Sequence, residues 1–239
     1  MTRYFCHEHP DTLALETRVL NARPGAVILE RSPFHPGGGG QLADRGTLRW
    51  SGGEVAVTGF EPATDGRFWH RLGEPADPTG TVVAVVDPEL RTMMTELHTG
   101  THILNALVFQ QFDRALVTGA QLNDDRTARM DFDLPEADND KLRALEAGLN
   151  ELIRQDLPLR YTYVPLAEAA AQHGLIRSRS VAPPAGDDGL IRIVEIVGLD
   201  RQACGGTHLA STGRSRALRI LKIDNKGRHN RRIRIGLDG

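Results

Sequence analysis

Cys204-Gly205-Gly206-Thr207-His208, or CGGTH, is the stretch around which this chain is organised. It sets a thiol and an imidazole four residues apart across two glycines, and about a hundred residues upstream LHTGTH (97–102) repeats that separation with His98 and His102. Zinc accepts imidazole nitrogen and thiolate sulfur in a tetrahedron, so His98, His102, Cys204 and His208 offer a complete shell for one ion per chain. Magnesium and calcium select oxygen ligands, which leaves zinc as the ion that suits this donor set. Each pair alone is a weak signal, because two histidines on a helix face are usually surface residues. The metal reading rests on both pairs occurring together.

The flanking sequence says how the pairs are held. LIRIVEIV (190–197) alternates with period two and is rich in branched residues, which predicts a strand running straight into CGGTH. Asp87-Pro88-Glu89 predicts a helix start, with Asp87 as cap and Pro88 at the first helical position. That helix should reach about Phe112. Leu90, Met93, Met94, Leu97, Thr101, Leu104 and Val108 form its apolar face, and His98 and His102 stack on an adjoining one. LVTGAQLND and RTARMDFDL read as strands up to Pro135, and Leu142, Leu145, Leu149 and Leu152 as a second amphipathic helix after Asp138 and Asn139 that Pro158 ends. RYTYVPL is strand-like, AEAAAQH a short helix stopped by Gly174, SRSVAPPAGDDG a loop, and ALRILKIDN and RRIRIGL a closing strand pair.

Upstream of Pro88 the pattern changes. LALETRVLNA, GAVILERS, GTLRW, EVAVTGFE, RFWHRL and TVVAVVD are short β segments separated by turn residues, which predicts a small barrel or meander. The expected fold is therefore α+β: a small N-terminal β-barrel over residues 1–88, then a helix-and-antiparallel-sheet, zinc-binding domain over 89–239. PFHPGGGGQLADRG interrupts the β segments, and Gly38, Gly39 and Gln41 within it are candidates for backbone contact with a nucleotide or for closure over the metal site. No Lys-Ser or Lys-Thr follows the glycines, so the run is not a phosphate-binding loop.

Several function classes fall away. Zinc peptidases place a glutamate directly after the first helical histidine, and Thr99 stands there. A Cys204 nucleophile is disfavoured because the surrounding histidines would draw a metal onto the sulfur. With two cysteines, Cys6 and Cys204, there is no disulfide framework, and no apolar run approaches the roughly 18–20 residues of a membrane span. A cytoplasmic protein is expected. The formal charge of −2 hides a basic C-terminal segment, Arg214 to Arg234, in which Asp224 is the single acid; such a cluster suits either a phosphate backbone or a solvated strand pair.

The motifs RTMMTELHTGTHILNALV (91–108), DFD (131–133), LIRIVEIVGLDRQACGGTH (190–208) and the closing arginine-rich segment resemble the editing domain of alanyl-tRNA synthetases and its free-standing AlaX-type relatives. PFHPGGGGQLADRGTL resembles the glycine-rich stretch of the preceding barrel domain in the longer members. The resemblance implies hydrolysis of mischarged tRNA(Ala), carrying serine or glycine, by a zinc-dependent deacylase whose ligands are His98, His102, Cys204 and His208. It also implies that Thr101 recognises the substrate side chain, and that either Thr118 or Gln121 takes the part of a glutamine found before the DF motif, where this chain departs from the synthetase pattern. A monomer is expected, and the alternative is a zinc-stabilised tRNA-binding module without catalysis.

Overall fold

The computed structural model describes residues 4–64, 66–135, 137–172, 174–177, 186 and 188–239. Two compact units emerge, one of residues 1–38 with 42–92, the other of 39–41 with 93–239.

The first unit opens with a single helical turn, α1 (Phe5–Glu8), which the sequence reading did not anticipate. Six strands follow: β1 (Ala14–Arg23), β2 (Ala26–Leu29), β3 (Gly46–Trp50), β4 (Gly53–Pro62), β5 (Phe68–Leu72) and β6 (Thr81–Val86). They close antiparallel in the order β1-β2-β5-β4-β3-β6, so no edge is left unpaired. Period two sets what faces inward: Val82, Ala84 and Val86 of β6 meet Val27, Leu29, Leu48, Val55 and Val57 around Phe34. Asp44 and Arg91 are buried together in this unit; the guanidinium bonds the Asp44 carboxylate and donates to the carbonyls of Pro33 at 2.7 Å and Pro10 at 3.0 Å. A buried charge needs such company.

Helix α2 (Pro88–Gln111) begins as the sequence predicts, with Asp87 Oδ1 accepting from the amides of Glu89 and Leu90. Its burial differs. From Met93 to Val108 the helix is enclosed on every side, and Thr95, Glu96, Thr99 and Asn105 are buried along with the apolar row. Burial extends beyond the expected apolar face: polar residues on the other faces find hydrogen-bond partners, Thr95 with Thr207, Glu96 with Arg216, Thr99 with the Leu209 amide and Asn105 with Gln202, and so can be buried.

The second unit contains two antiparallel sheets. β12 (Leu218–Lys226), β13 (Asn230–Leu237), β8 (Thr127–Asp133) and β7 (Val117–Leu122) form one, β11 (Asp200–Ala203), β10 (Leu190–Ile196) and β9 (Leu159–Pro165) the other. Helix α3 (Asn139–Arg154), capped by Asp138, packs against β12. Asn150 fixes that contact by bonding both the N–H and the C=O of Leu218, at 2.9 and 2.8 Å. Helix α4 (Leu166–Ala171) packs on β9 and β10. The expected SRSVAPPAGDDG loop lies mostly outside the described residues. A correction concerns β10, which does not run straight into CGGTH: the chain turns at Gly198 with φ +81° and returns as β11, antiparallel to β10, before Cys204. Among the described residues no helix is long and apolar enough to cross a membrane.

Candidate metal centre

Helix α2 presents His98 and His102 one turn apart, and the loop after β11 presents Cys204 and His208. One ligand atom from each lies within 4.8 Å of the other three, and all four side chains are buried. Cys204 Sγ is 3.3 Å from Nε2 of His98 and 3.3 Å from Nε2 of His208. The edge of a tetrahedral zinc site with these donors is about 3.3–3.6 Å, so two edges already stand at that length. The residues therefore fit a metal ion.

The glycines of CGGTH have a steric reason. A Cβ on Gly206 would lie 2.0 Å from Cε1 of His98, so only glycine lets the loop pass beneath that ring. Arg192, buried on β10, steadies the loop by donating from Nη1 to the carbonyls of Cys204 at 3.2 Å and Gly206 at 2.8 Å.

Gln41 determines which nitrogen of His98 faces the sulfur. Its Oε1 accepts from the Thr207 amide at 3.0 Å and its Nε2 donates to Thr207 Oγ1 at 2.9 Å, which fixes the amide's orientation. The same Oε1 lies 2.8 Å from His98 Nδ1 and, being an acceptor, requires a proton there. The lone pair is left on Nε2, toward Cys204. Thr99 lies beside His208: its Oγ1 accepts from the Leu209 amide at 3.1 Å and stands 3.4 Å from His208 Nδ1.

Electrostatics favour ligand-ready protonation states. Burial, with Arg192 nearby, pulls His98 down to about 4 and keeps it neutral, and burial lowers His102 against the opposing pull of Cys204. Burial alone would push the Cys204 thiol up, but His102 and Arg192 outweigh it and leave the thiol below its ordinary range.

Residues 191–234, which carry Cys204 and His208 of this centre, match the family model described as the Threonyl and Alanyl tRNA synthetase second additional domain. The chain is 33% identical over 221 residues to the alanyl-tRNA editing protein AlaX-M of Saccharolobus solfataricus, covering 91% of each. It is also 33% identical over 218 residues to the AlaX-M of Methanosarcina acetivorans, covering 87% of this chain and 86% of that one. The chain belongs to the AlaX-M family of alanyl-tRNA editing proteins. An alanine–tRNA ligase of Methanopyrus kandleri is 37% identical over 198 residues, 82% of this chain and 21% of the ligase.

The AlaX-type motifs distribute unevenly around the centre. Thr101 is buried on α2, and its hydroxyl donates to the His98 carbonyl at 2.7 Å. Thr118 and Gln121 sit on β7, where Thr118 Oγ1 bonds Asn230 at 3.1 Å and Gln121 Oε1 accepts from Arg129 at 3.1 and 3.2 Å. Of the glycine-rich residues, Gly38 and Gly39 have φ of +118° and +61° with open space where a Cβ would go, so they serve the turn's backbone conformation. The close approach is made by Gly40, where a Cβ would lie 2.7 Å from the Ala120 carbonyl.

The basic C-terminal segment is less free than its sequence suggests. Folding brings acids from elsewhere: Glu96 to Arg216, Glu146 and Asp238 to Arg219, and Asp131 to Arg232, while Lys222 meets Asp224. Lys226 and Arg228 are exposed where β12 turns into β13.

Proposed function

We propose that this chain is a trans-editing aminoacyl-tRNA deacylase that hydrolyses the ester of tRNA(Ala) mischarged with serine, and with glycine as a second substrate, in the cytoplasm. The observation that carries the reading is the convergence of His98, His102, Cys204 and His208 in a chain of this family. These four residues would hold one zinc ion, with residues 1–88 as the barrel domain and 89–239 as the editing domain. Zinc bound there would supply either Lewis acidity beside the acyl group or a fixed anchor joining the two ligand pairs.

The rest of the chemistry falls to the chain's own groups. Thr101 has its proton committed to the His98 carbonyl, so its oxygen can only accept. A seryl hydroxyl can donate to it; an alanyl methyl cannot, and would leave a buried oxygen unmet. A site built to bond a substrate hydroxyl can reject the analogue lacking it by up to roughly 10⁴–10⁵-fold, which is the direction of choice an editing enzyme needs. Arg192 and Gln41 hold the loop and the His98 ring in place, so the geometry is set before substrate arrives. Lys226 and Arg228, exposed cations of the basic segment, would meet phosphate.

The test is deacylation of Ser-, Gly- and Ala-tRNA(Ala) by the metal-loaded chain. The expected result is a shortened half-life of the seryl ester with alanyl-tRNA(Ala) spared. A binding module without catalysis would retard tRNA in a gel and leave every half-life unchanged.

A further inference from the structure

His98, His102, Asn105 and Phe109 lie four, three and four residues apart along α2, which puts them in one stripe. Asn105 is thus one turn beyond the metal ligands on the face that carries them, and it is 3% exposed. Its amide orientation is dictated from outside. Arg177, stacked 3.8 Å over the Phe109 ring, pairs with the Asp200 carboxylate. That carboxylate accepts from Gln202 Nε2, so Gln202 turns its Oε1 toward Asn105 and receives Asn105 Nδ2 at 2.5 Å. The Asn105 carbonyl oxygen must therefore point the other way. It is buried and has no hydrogen-bond partner among the described residues.

An amide oxygen shut away from water and left unmet is costly, and folded proteins rarely keep one. Here a chain of charged and polar groups holds it in that state, one helical turn from the ligands. A neutral carbonyl suits a donor that carries positive charge or exchanges it readily, without competing for the metal as a carboxylate would. Every aminoacyl ester brings such a donor in its α-amino group, whatever its side chain. We infer that Asn105 Oδ1 accepts a hydrogen bond from the α-amino group of the aminoacyl ester, making Asn105 a substrate-binding residue that selects esters with an α-nitrogen. The inference rests on the deacylase reading above. It divides the labour: Thr101 reads the side-chain hydroxyl, and Asn105 reads the α-amino group common to all the esters.

The experiment compares Ser-tRNA(Ala) with 3-hydroxypropionyl-tRNA(Ala), which keeps the β-hydroxyl and lacks the α-amino group, each rate divided by that of spontaneous hydrolysis. Wild type should favour the seryl ester by about 10- to 100-fold in kcat/KM, the range of one hydrogen bond to a charged group. Asn105→Ala should lower kcat/KM for the seryl ester by a similar factor and leave the deaminated ester nearly unchanged, so that the preference collapses. Metal content of the variant, measured alongside, should match wild type. Equal turnover of both esters by wild type, or a preference that survives Asn105→Ala, overturns the inference while the deacylase reading stands; the wild-type comparison decides even if the variant does not fold. Failure of wild type to hydrolyse either ester sinks the deacylase reading and takes this inference with it.

Discussion

Replacing Gly206 with alanine is the sharpest steric probe of the centre. The new Cβ would stand 2.0 Å from Cε1 and 2.2 Å from Nδ1 of His98, and 2.7 Å from Gln41 Oε1. Carbon atoms rest about 3.5–4.0 Å apart, so the imidazole must retreat by roughly 1.5 Å. That displacement breaks the 2.8 Å bond between His98 and Gln41 and carries Nε2 away from the Cys204 sulfur. Losing the partner that orients a ligand typically weakens metal binding by about 10- to 100-fold, and forcing a methyl into a packed site costs about 1–3 kcal/mol. The expected result for Gly206→Ala is thus a zinc affinity reduced by at least tenfold in chelator competition, with metal-free stability lower by that amount in urea. Gly59→Ala is the control, since its Cβ would meet nothing closer than Arg71 Cδ at 3.8 Å, and it should bind zinc as wild type does. Wild-type zinc affinity in Gly206→Ala would refute the geometry described for the loop and the His98 ring.

Two further perturbations address the barrel. Asp44→Ala leaves the buried Arg91 guanidinium without its counter-charge and the His35 amide without its acceptor at 2.5 Å, and should destabilise the chain by about 3–5 kcal/mol in urea unfolding. His70 is held neutral: its Nδ1 donates to the Val27 carbonyl at 3.2 Å, its Nε2 meets Ser32 Oγ at 2.8 Å, and burial pulls its pKa from 6.5 to about 4. Between those values the unfolded chain binds more protons than the folded one, so this contribution is complete above about pH 6.5 and is lost as pH falls toward 4. From pH 7 to pH 5 it amounts to about 2 kcal/mol, which His70→Gln should remove from the pH dependence of unfolding; an unchanged pH profile would contradict it.

The legible part of the sequence was the part governed by period and punctuation. All six barrel strands follow from alternation between turn residues, and Asp87 and Asp138 cap the two long helices because their side chains reach amides two or three residues on. That His98, His102, Cys204 and His208 would cluster was legible because metal chemistry restricts residue types so strongly. What stayed hidden depends on long-range pairing. The enclosure of α2 cannot be read from α2 alone, since the partners of Thr95, Glu96 and Asn105 are Thr207, Arg216 and Gln202, over ninety residues away. The role of Gln41 was masked by the glycines beside it, which draw attention to backbone rather than to a side chain bonded to His98. Asn105 had a signal available, its place seven residues after His98. Arg192 had one too, as the single arginine in an otherwise apolar strand core. The basic C-terminal segment misled in the opposite sense, because counting its neighbours in sequence omits Glu96, Asp131 and Glu146, which reach it only in the fold.

The most direct test of the account is zinc stoichiometry by native mass spectrometry on the intact chain and on His102→Ala and Cys204→Ala. One zinc per wild-type chain, with binding lost in both variants, is the predicted result. A wild-type chain that takes up no zinc, or a Cys204→Ala chain that holds it as tightly as wild type, would contradict the four-residue centre on which the proposed function depends.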